Sequence, residues 1–176
     1  SRNSYRAPGW QDQTAHLGVI FDASYEGAGL KIKKVLTDGP ASEEKAQLRE
    51  GEIIMEINGA EVSLRMDLTE VLNGRLDRDL TLKVQGLDDE QKQREVIMRP
   101  SSYSKARSLV ESDKINDTRK RVDELSGGRL GYLYVARMMW SEFQKFEREI
   151  YAEGDGKEGL VIDVRNNGGG FTADHL

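Results

Sequence analysis

Residues 38–62 read DGPASEEKAQLREGEIIMEINGAEV, and the reading of this stretch decides the fold. Pro40 suits the first turn of a helix, where the N–H it lacks would have no partner anyway. The spacing predicts a short helix ending near Leu48, ahead of the turn Arg49-Glu50-Gly51. EIIMEING (52–59) then reads as a strand closed by an Asn58-Gly59 turn. Upstream, LGVIFD (17–22) and LKIKKVL (30–36) flank the turn signal SYEGAG (24–29) and read as a hairpin. Leu30, Ile32 and Val35 break strict alternation, which predicts a bulge. Downstream, DLTEVLN (67–73) predicts a helix with Leu68, Val71 and Leu72 on one face and Gly74 just past its end. LTLKVQG (80–86) alternates as a strand, and REVIMRP (94–100) is another, closed by Pro100. Residues 17–100 are therefore expected to form a β-rich unit with two helices.

Composition bounds what such a chain does. It has 176 residues, 37% apolar and 32% charged, with a formal net charge of −5. That length fits one domain or two small ones, and the apolar share supplies a modest core. The acidic balance argues against nucleic acid as the main partner, because a phosphate-tracking surface needs a basic excess. Zero cysteine excludes disulfides, thiolate catalysis and cysteine-based zinc sites, and leaves the compartment open. His16 and His175 stand too far apart in sequence for a local metal motif, so no metal or cofactor is expected. His16 reads as a surface residue, with no nucleophile placed beside it by spacing. No apolar run reaches the ~20 residues of a membrane span. The first residues lack the apolar segment of a signal peptide, and 1–16 read as a flexible arm. The sequence stops a few residues past a glycine cluster, which leads us to expect a fragment.

The last third has a different texture. Residues 101–128 mix charges of both signs with sparse Leu109, Val110, Ile115, Val122 and Leu125, and predict a charged helical connector ended by Gly127-Gly128. In 129–176, RLGYLYV (129–135) is a strand. WSEFQKFEREIYA (140–152) is a helix with Trp140, Phe143, Phe146 and Ile150 at helical spacing. GLVIDV (159–164) is a nearly continuous apolar strand of the buried parallel kind. Strand, helix and strand make a βαβ unit, expected to be right-handed. The fold class is mixed α+β: a β-rich domain, a connector and a partial α/β segment. The last strand runs into Asn166, Asn167, Gly168, Gly169 and Gly170, with a helix expected to follow. Consecutive glycines let backbone N–H groups converge on a negative atom. Three readings stay open: a phosphate site, an oxyanion hole for acyl transfer, and a tight turn with no ligand. The phosphate reading is weak, because no P-loop or dinucleotide glycine pattern is in register. Asp163 and Arg165, two apart on a strand, share a face and can pair.

The unit at 17–100 resembles a PDZ domain. The matching residues are Leu17-Gly18-Val19-Ile20 at the family's carboxylate-binding loop, the 38–62 stretch with Glu52 for the usual Asp, and the helix at 67–73. The loop before Leu17 departs from the family's full glycine-rich form. The resemblance implies a groove in which an extended polypeptide pairs with the edge at Gly18–Phe21. Leu17, Gly18, Val19, Ile20, Phe21, Leu68 and Leu72 would line it. From Arg107 onward, and most clearly in GGRLGYLYV (127–135) and GLVIDVRNNGGGF (159–171), the chain resembles the S41 serine peptidases, the tail-specific or C-terminal-processing proteases, and most of all their tricorn-like branch.

That resemblance implies an oxyanion-hole N–H at Gly168, Gly169 or Gly170. The family's nucleophilic serine and a supporting acid would lie beyond position 176, and its general-base histidine upstream of residue 1. Ser4 and His16 do not match that base, and His175 reads as an ordinary helix residue. The parent would then be a serine endopeptidase acting on unfolded polypeptides, and this chain, without the nucleophile, would be inactive. The alternative is a non-enzymatic PDZ peptide-binding module whose tail merely resembles a peptidase strand. Open apolar edges on the βαβ unit predict a homo-oligomer or a domain-exchanged form.

Overall fold

Apolar residues at alternate positions build the first sheet. In a computed structural model describing residues 13–76, 78–87 and 92–170, Leu80, Leu82 and Val84 of strand β6 (Leu80–Gln85) are fully enclosed. Facing them in antiparallel register is β7 (Gln93–Met98), with Leu82 opposite Val96 and Leu80 opposite Met98. On the other side lies β4 (Ile53–Ile57), with Ile54 opposite Val84. Next come β3 (Leu30–Val35) and β2 (Val19–Phe21), so β2 is the outer strand of the order β2-β3-β4-β6-β7. The short β5 (Ala60–Glu61) folds back on β4 through the Asn58-Gly59 turn. The expected bulge is present. Phe21 pairs with Ile32 while Ile20 pairs with Lys34, so Lys33 is the extra residue. A separate two-stranded ladder joins β1 (Ala15–His16) to β8 (Ser101–Ser102).

Both expected helices of this unit are shorter than the sequence suggests. Pro40–Ser42 is a single 3-10 turn, where a helix to about Leu48 was expected. Glu43 adopts an extended ψ and Gln47 a positive φ, because Ala41, Ala46 and Leu48 must all reach the core and no helical spacing allows that. Helix α1 (Thr69–Leu72) is one turn, where 67–73 was expected. Asp67 Oδ1 starts it by accepting from the Thr69 N–H and hydroxyl at 2.9 and 2.8 Å. It stops at Asn73, which pairs across to Thr14.

The chain divides into two compact units, Ser1–Val110 and Glu111–Leu176. A single helix α2 (Tyr103–Ser126) covers the expected connector. Gly127 and Gly128 end it at positive φ, with the Gly128 N–H returning to the Asp123 carbonyl at 2.8 Å. In the second unit, β9 (Leu130–Tyr134) and β10 (Gly159–Asp163) pair in parallel, Gly159 to Leu130 through Asp163 to Tyr134, with α3 (Trp140–Gly154) connecting them. The parallel pairing is as expected, but the expected burial of β10 is not found: Val161, Ile162 and Val164 remain 38%, 45% and 52% exposed. Among the described residues β10 has β9 as its one partner, so its composition exceeds its cover. Of the arm expected at 1–16, residues 13–16 are instead part of the first unit, with Ala15 buried and β1 paired to β8, while 1–12 and the residues after Gly170, with Ser4, Phe171, His175 and the helix expected there, lie outside the described residues. No described helix is long and apolar enough to cross a membrane.

Candidate functional site

Two constellations carry chemistry, one in each unit. The first is the edge at β2. Leu17 and Val19 pack in the core at 2% and 3% exposure, so what they offer the surface is backbone. Ile20 is half-buried. Phe21 and Leu68 are half-buried against the same core, and Leu72 is buried. Gly18 has φ +79°, and a Cβ there would stand 2.7 Å from Pro40 Cδ. The neighbour that requires glycine here is thus Pro40. The lead-in to this loop is tied to the end of α1. Thr14 donates its hydroxyl to Asn73 Oδ1 at 2.6 Å, and the Gly74 N–H bonds the Gln13 carbonyl at 3.3 Å.

His16 corrects the surface reading. It is half-buried, and its Nδ1 accepts the Gly18 N–H at 2.9 Å. Burial pushes its pKa below the ordinary histidine value. Tyr103, the first residue of α2, meets the imidazole edge-on at 5.9 Å. Spacing gives no hint of this contact, because the histidine and its aromatic partner are far apart in sequence.

The second constellation stands where β10 ends. Asp163, only 8% exposed, accepts four hydrogen bonds. Arg165 Nε and Nη2 reach its two oxygens at 2.9 and 2.6 Å, the Arg165 backbone N–H reaches Oδ1 at 3.0 Å, and the Tyr132 hydroxyl reaches Oδ2 at 2.8 Å. The Asp163–Arg165 pairing is as expected, but its route differs. Arg165 lies past the strand, and its own N–H closes an Asx-type turn on Asp163. Hydrogen bonding from Arg165 holds the Asp163 carboxyl far below the usual range, and Asp163 in turn pushes the Arg165 guanidinium up. Burial, then the bond to Asp163, raises the Tyr132 hydroxyl. The sequence reading missed Tyr132. Tyr132 and Tyr134 share one strand face, so alternation does not choose between them, and only the parallel register of β9 against β10 brings Tyr132 to Asp163.

Beyond Asp163 the chain zips onto the segment after β9. The Val135 N–H bonds the Asp163 carbonyl, the Gly168 N–H the Ala136 carbonyl and the Met138 N–H the Gly169 carbonyl, each at 3.0 Å. Asn167 Nδ2 reaches the Val135 carbonyl at 2.8 Å, while its Oδ1 accepts the Gly169 N–H at 2.7 Å. The N–H groups of Gly168 and Gly169 are therefore engaged within the turn. Gly170, at φ +155°, runs so close to Met138 that a Cβ would overlap its carbonyl. Among the described residues no cluster of three acidic or histidine side chains could hold a metal.

An edge-strand domain joined to a parallel strand that ends in a glycine turn has the make-up of a PDZ-like domain followed by a partial α/β segment. Comparison with known proteins gives what each segment is similar to. Residues 16–102 match the tricorn protease PDZ domain model, and residues 129–175 match that of peptidase family S41. The first segment is thus similar to the tricorn-type PDZ domain, and the second to the peptidases of family S41. The chain is 28% identical over 164 residues to the tricorn protease of Thermoplasma volcanium, covering 88% of this chain and 15% of that protein. It is 46% identical over 59 residues, 34% of this chain and 5% of the other, to tricorn protease homolog 1 of Streptomyces coelicolor. It is 26% identical over 166 residues to the chloroplastic C-terminal processing peptidase of Tetradesmus obliquus, 88% of this chain and 34% of that one. The crystal structure of the tricorn protease superposes with a TM-score of 0.74 at 22% identity over 93% of this chain and 16% of that one, a likeness of fold. The chain thus spans a small part of each of these relatives.

Proposed function

We propose that this chain is the substrate-recognition and oxyanion-turn portion of a serine-type endopeptidase that acts on unfolded polypeptides. The observation that carries the reading is β10, a parallel strand that runs straight into a glycine turn clamped by Asp163, Arg165 and Tyr132. Acyl transfer needs a rigid N–H aimed at the developing oxyanion, because fixed donors stabilise that charge without reorganising. With the Gly168 and Gly169 N–H groups engaged, Gly170 is the donor we assign to the oxyanion. The nucleophile and its base lie outside positions 1–176, so the chain by itself has no catalytic couple. The groove beside β2, with Ile20, Phe21 and Leu68 half-open, holds an extended polypeptide by strand addition. Among the described residues β10 pairs with β9 alone, and the edge this leaves favours self-association or exchange between copies.

The test uses fluorescent, carboxymethylated casein as the unfolded probe. The purified chain should bind it, raising its anisotropy, and leave it uncut. Casein fragments formed in proportion to the chain would overturn the absence of a catalytic couple. No change in anisotropy would overturn the recognition role. Light scattering adds a check on assembly, since a strict monomer at all concentrations tested counts against self-association.

A further inference from the structure

The His16 imidazole occupies the Gly18 N–H, at the head of the edge strand where the groove reading above places a polypeptide. The Gly18 N–H donates to His16 Nδ1 at 2.9 Å, which requires a lone pair on that nitrogen and therefore a neutral ring protonated at Nε2. Gly18 immediately precedes the outer strand β2, and its backbone is fixed by a positive φ against Pro40. Across the β1–β8 ladder His16 faces Ser101, whose hydroxyl is buried with no hydrogen-bond partner among the described residues. Among the described residues the titratable and charged groups around the ring are few. Tyr103 meets it edge-on, Arg107 lies over the Tyr103 ring at 5.5 Å, and the turn against Gly18 carries the exposed Asp38.

We propose that His16 determines whether the groove recognises a free C-terminal carboxylate. When neutral, it holds the Gly18 N–H, and the groove takes internal or amidated segments. Protonated at Nδ1 by solvent, it can no longer accept that bond. The N–H is released toward the groove, and a cation now stands beside it, so the loop captures a carboxylate. This inference rests on the peptide-groove reading above. A peptide carboxylate stays ionised down to a pKa of roughly 3.3–3.7. Burial sets the upper limit, since it holds the His16 pKa below its ordinary 6.5. Affinity for free acids therefore rises as pH falls between those limits, and affinity for amides does not.

The experiment measures anisotropy of a rhodamine-labelled pool of decapeptides with apolar C-terminal residues. Each is offered to the full chain as free acid and as amide, at pH 7.5 and 5.0. Wild type should show an acid-to-amide affinity ratio near one at pH 7.5. At pH 5.0 acids should gain over amides, by up to about tenfold once the ring is protonated, the scale of one charge-assisted hydrogen bond. His16→Asn keeps an acceptor without a titration and should hold the ratio near one at both pH values. His16→Ala leaves the N–H open and should favour acids at both. A pH-dependent gain that survives in His16→Asn, or an equal acid preference at both pH values in wild type, overturns the proposal. Equal binding of acids and amides throughout overturns it and leaves the groove reading standing, whereas no binding of either removes both. In the free wild-type protein, the Gly18 amide resonance should titrate with the His16 ring. A resonance that does not move overturns the proposal without any variant.

Discussion

The two units draw on similar apolar strands and reach different burial. In the first, Leu30, Ile32, Ile54, Ile57, Leu80, Leu82 and Val84 are fully enclosed between the sheet and the turns that cap it. In the second, Leu133 is enclosed to that degree, while Val161, Ile162 and Val164 stay open and no α3 side chain is fully buried. Neighbours bury a strand, and composition only makes burial favourable. The second unit compensates with polar order: the Asp163 clamp and the backbone bonds between the 135–138 segment and the glycine turn.

That contrast can be broken by experiment, beginning with the largest expected effect. Leu82→Ala should cost about 2–5 kcal/mol in urea unfolding followed by circular dichroism, because the enclosed site cannot collapse around the void. Ile162→Ala on exposed β10 should fall within about 0.5 kcal/mol. Equal costs would refute the contrast. Next, Asp163→Asn should speed amide exchange in β9 and β10 by about tenfold, since the Arg165 fork and the Tyr132 hydroxyl lose a charged acceptor. Exchange in β6 should not change.

A smaller effect concerns acid. The folded Asp163 carboxyl titrates below its ordinary 3.8. The clamp's contribution is therefore complete above about pH 4 and is lost as pH falls below that toward the folded pKa. The carboxyl carbon-13 shift of Asp163 should stay flat through pH 4 and move only in stronger acid. A midpoint near 4 would mean the clamp is absent in solution. Smallest of all is Lys83→Met, which removes the exposed 2.8 Å pair with Glu56. It should change stability by less than about 0.5 kcal/mol. A larger loss would show that a side-chain ion pair matters in the first unit as it does in the second.

Much of the architecture was legible because it depends on short-range rules. The Asn58-Gly59 turn, the alternation of 80–85, the bulge between 30 and 36 and the Gly127-Gly128 helix stop are local events. The helices at 40–42 and 69–72 were legible in place but not in their shortness. Ala41, Ala46 and Leu48 left helical geometry to enter the core, and Asn73 was drawn off by Thr14. The Asp163–Arg165 pair could be read from its spacing, while Tyr132 depended on the parallel register of β10 against β9. His16 was misread as a surface residue because its partners, Gly18 on one side and Tyr103 on the other, meet only when the β1–β8 ladder closes.

The sequence by itself determined the order of the parts: an edge-strand domain, a charged helix, and a parallel strand ending in three glycines. Periodicity, turn residues and glycine placement act over a few residues, so they survive without tertiary context. Tertiary structure alone decided which glycine N–H groups are engaged, that Asp163 binds Tyr132, and that the Gly18 N–H is held by a neutral histidine. Those outcomes depend on distance and direction between remote segments, because a hydrogen bond forms only when both are right.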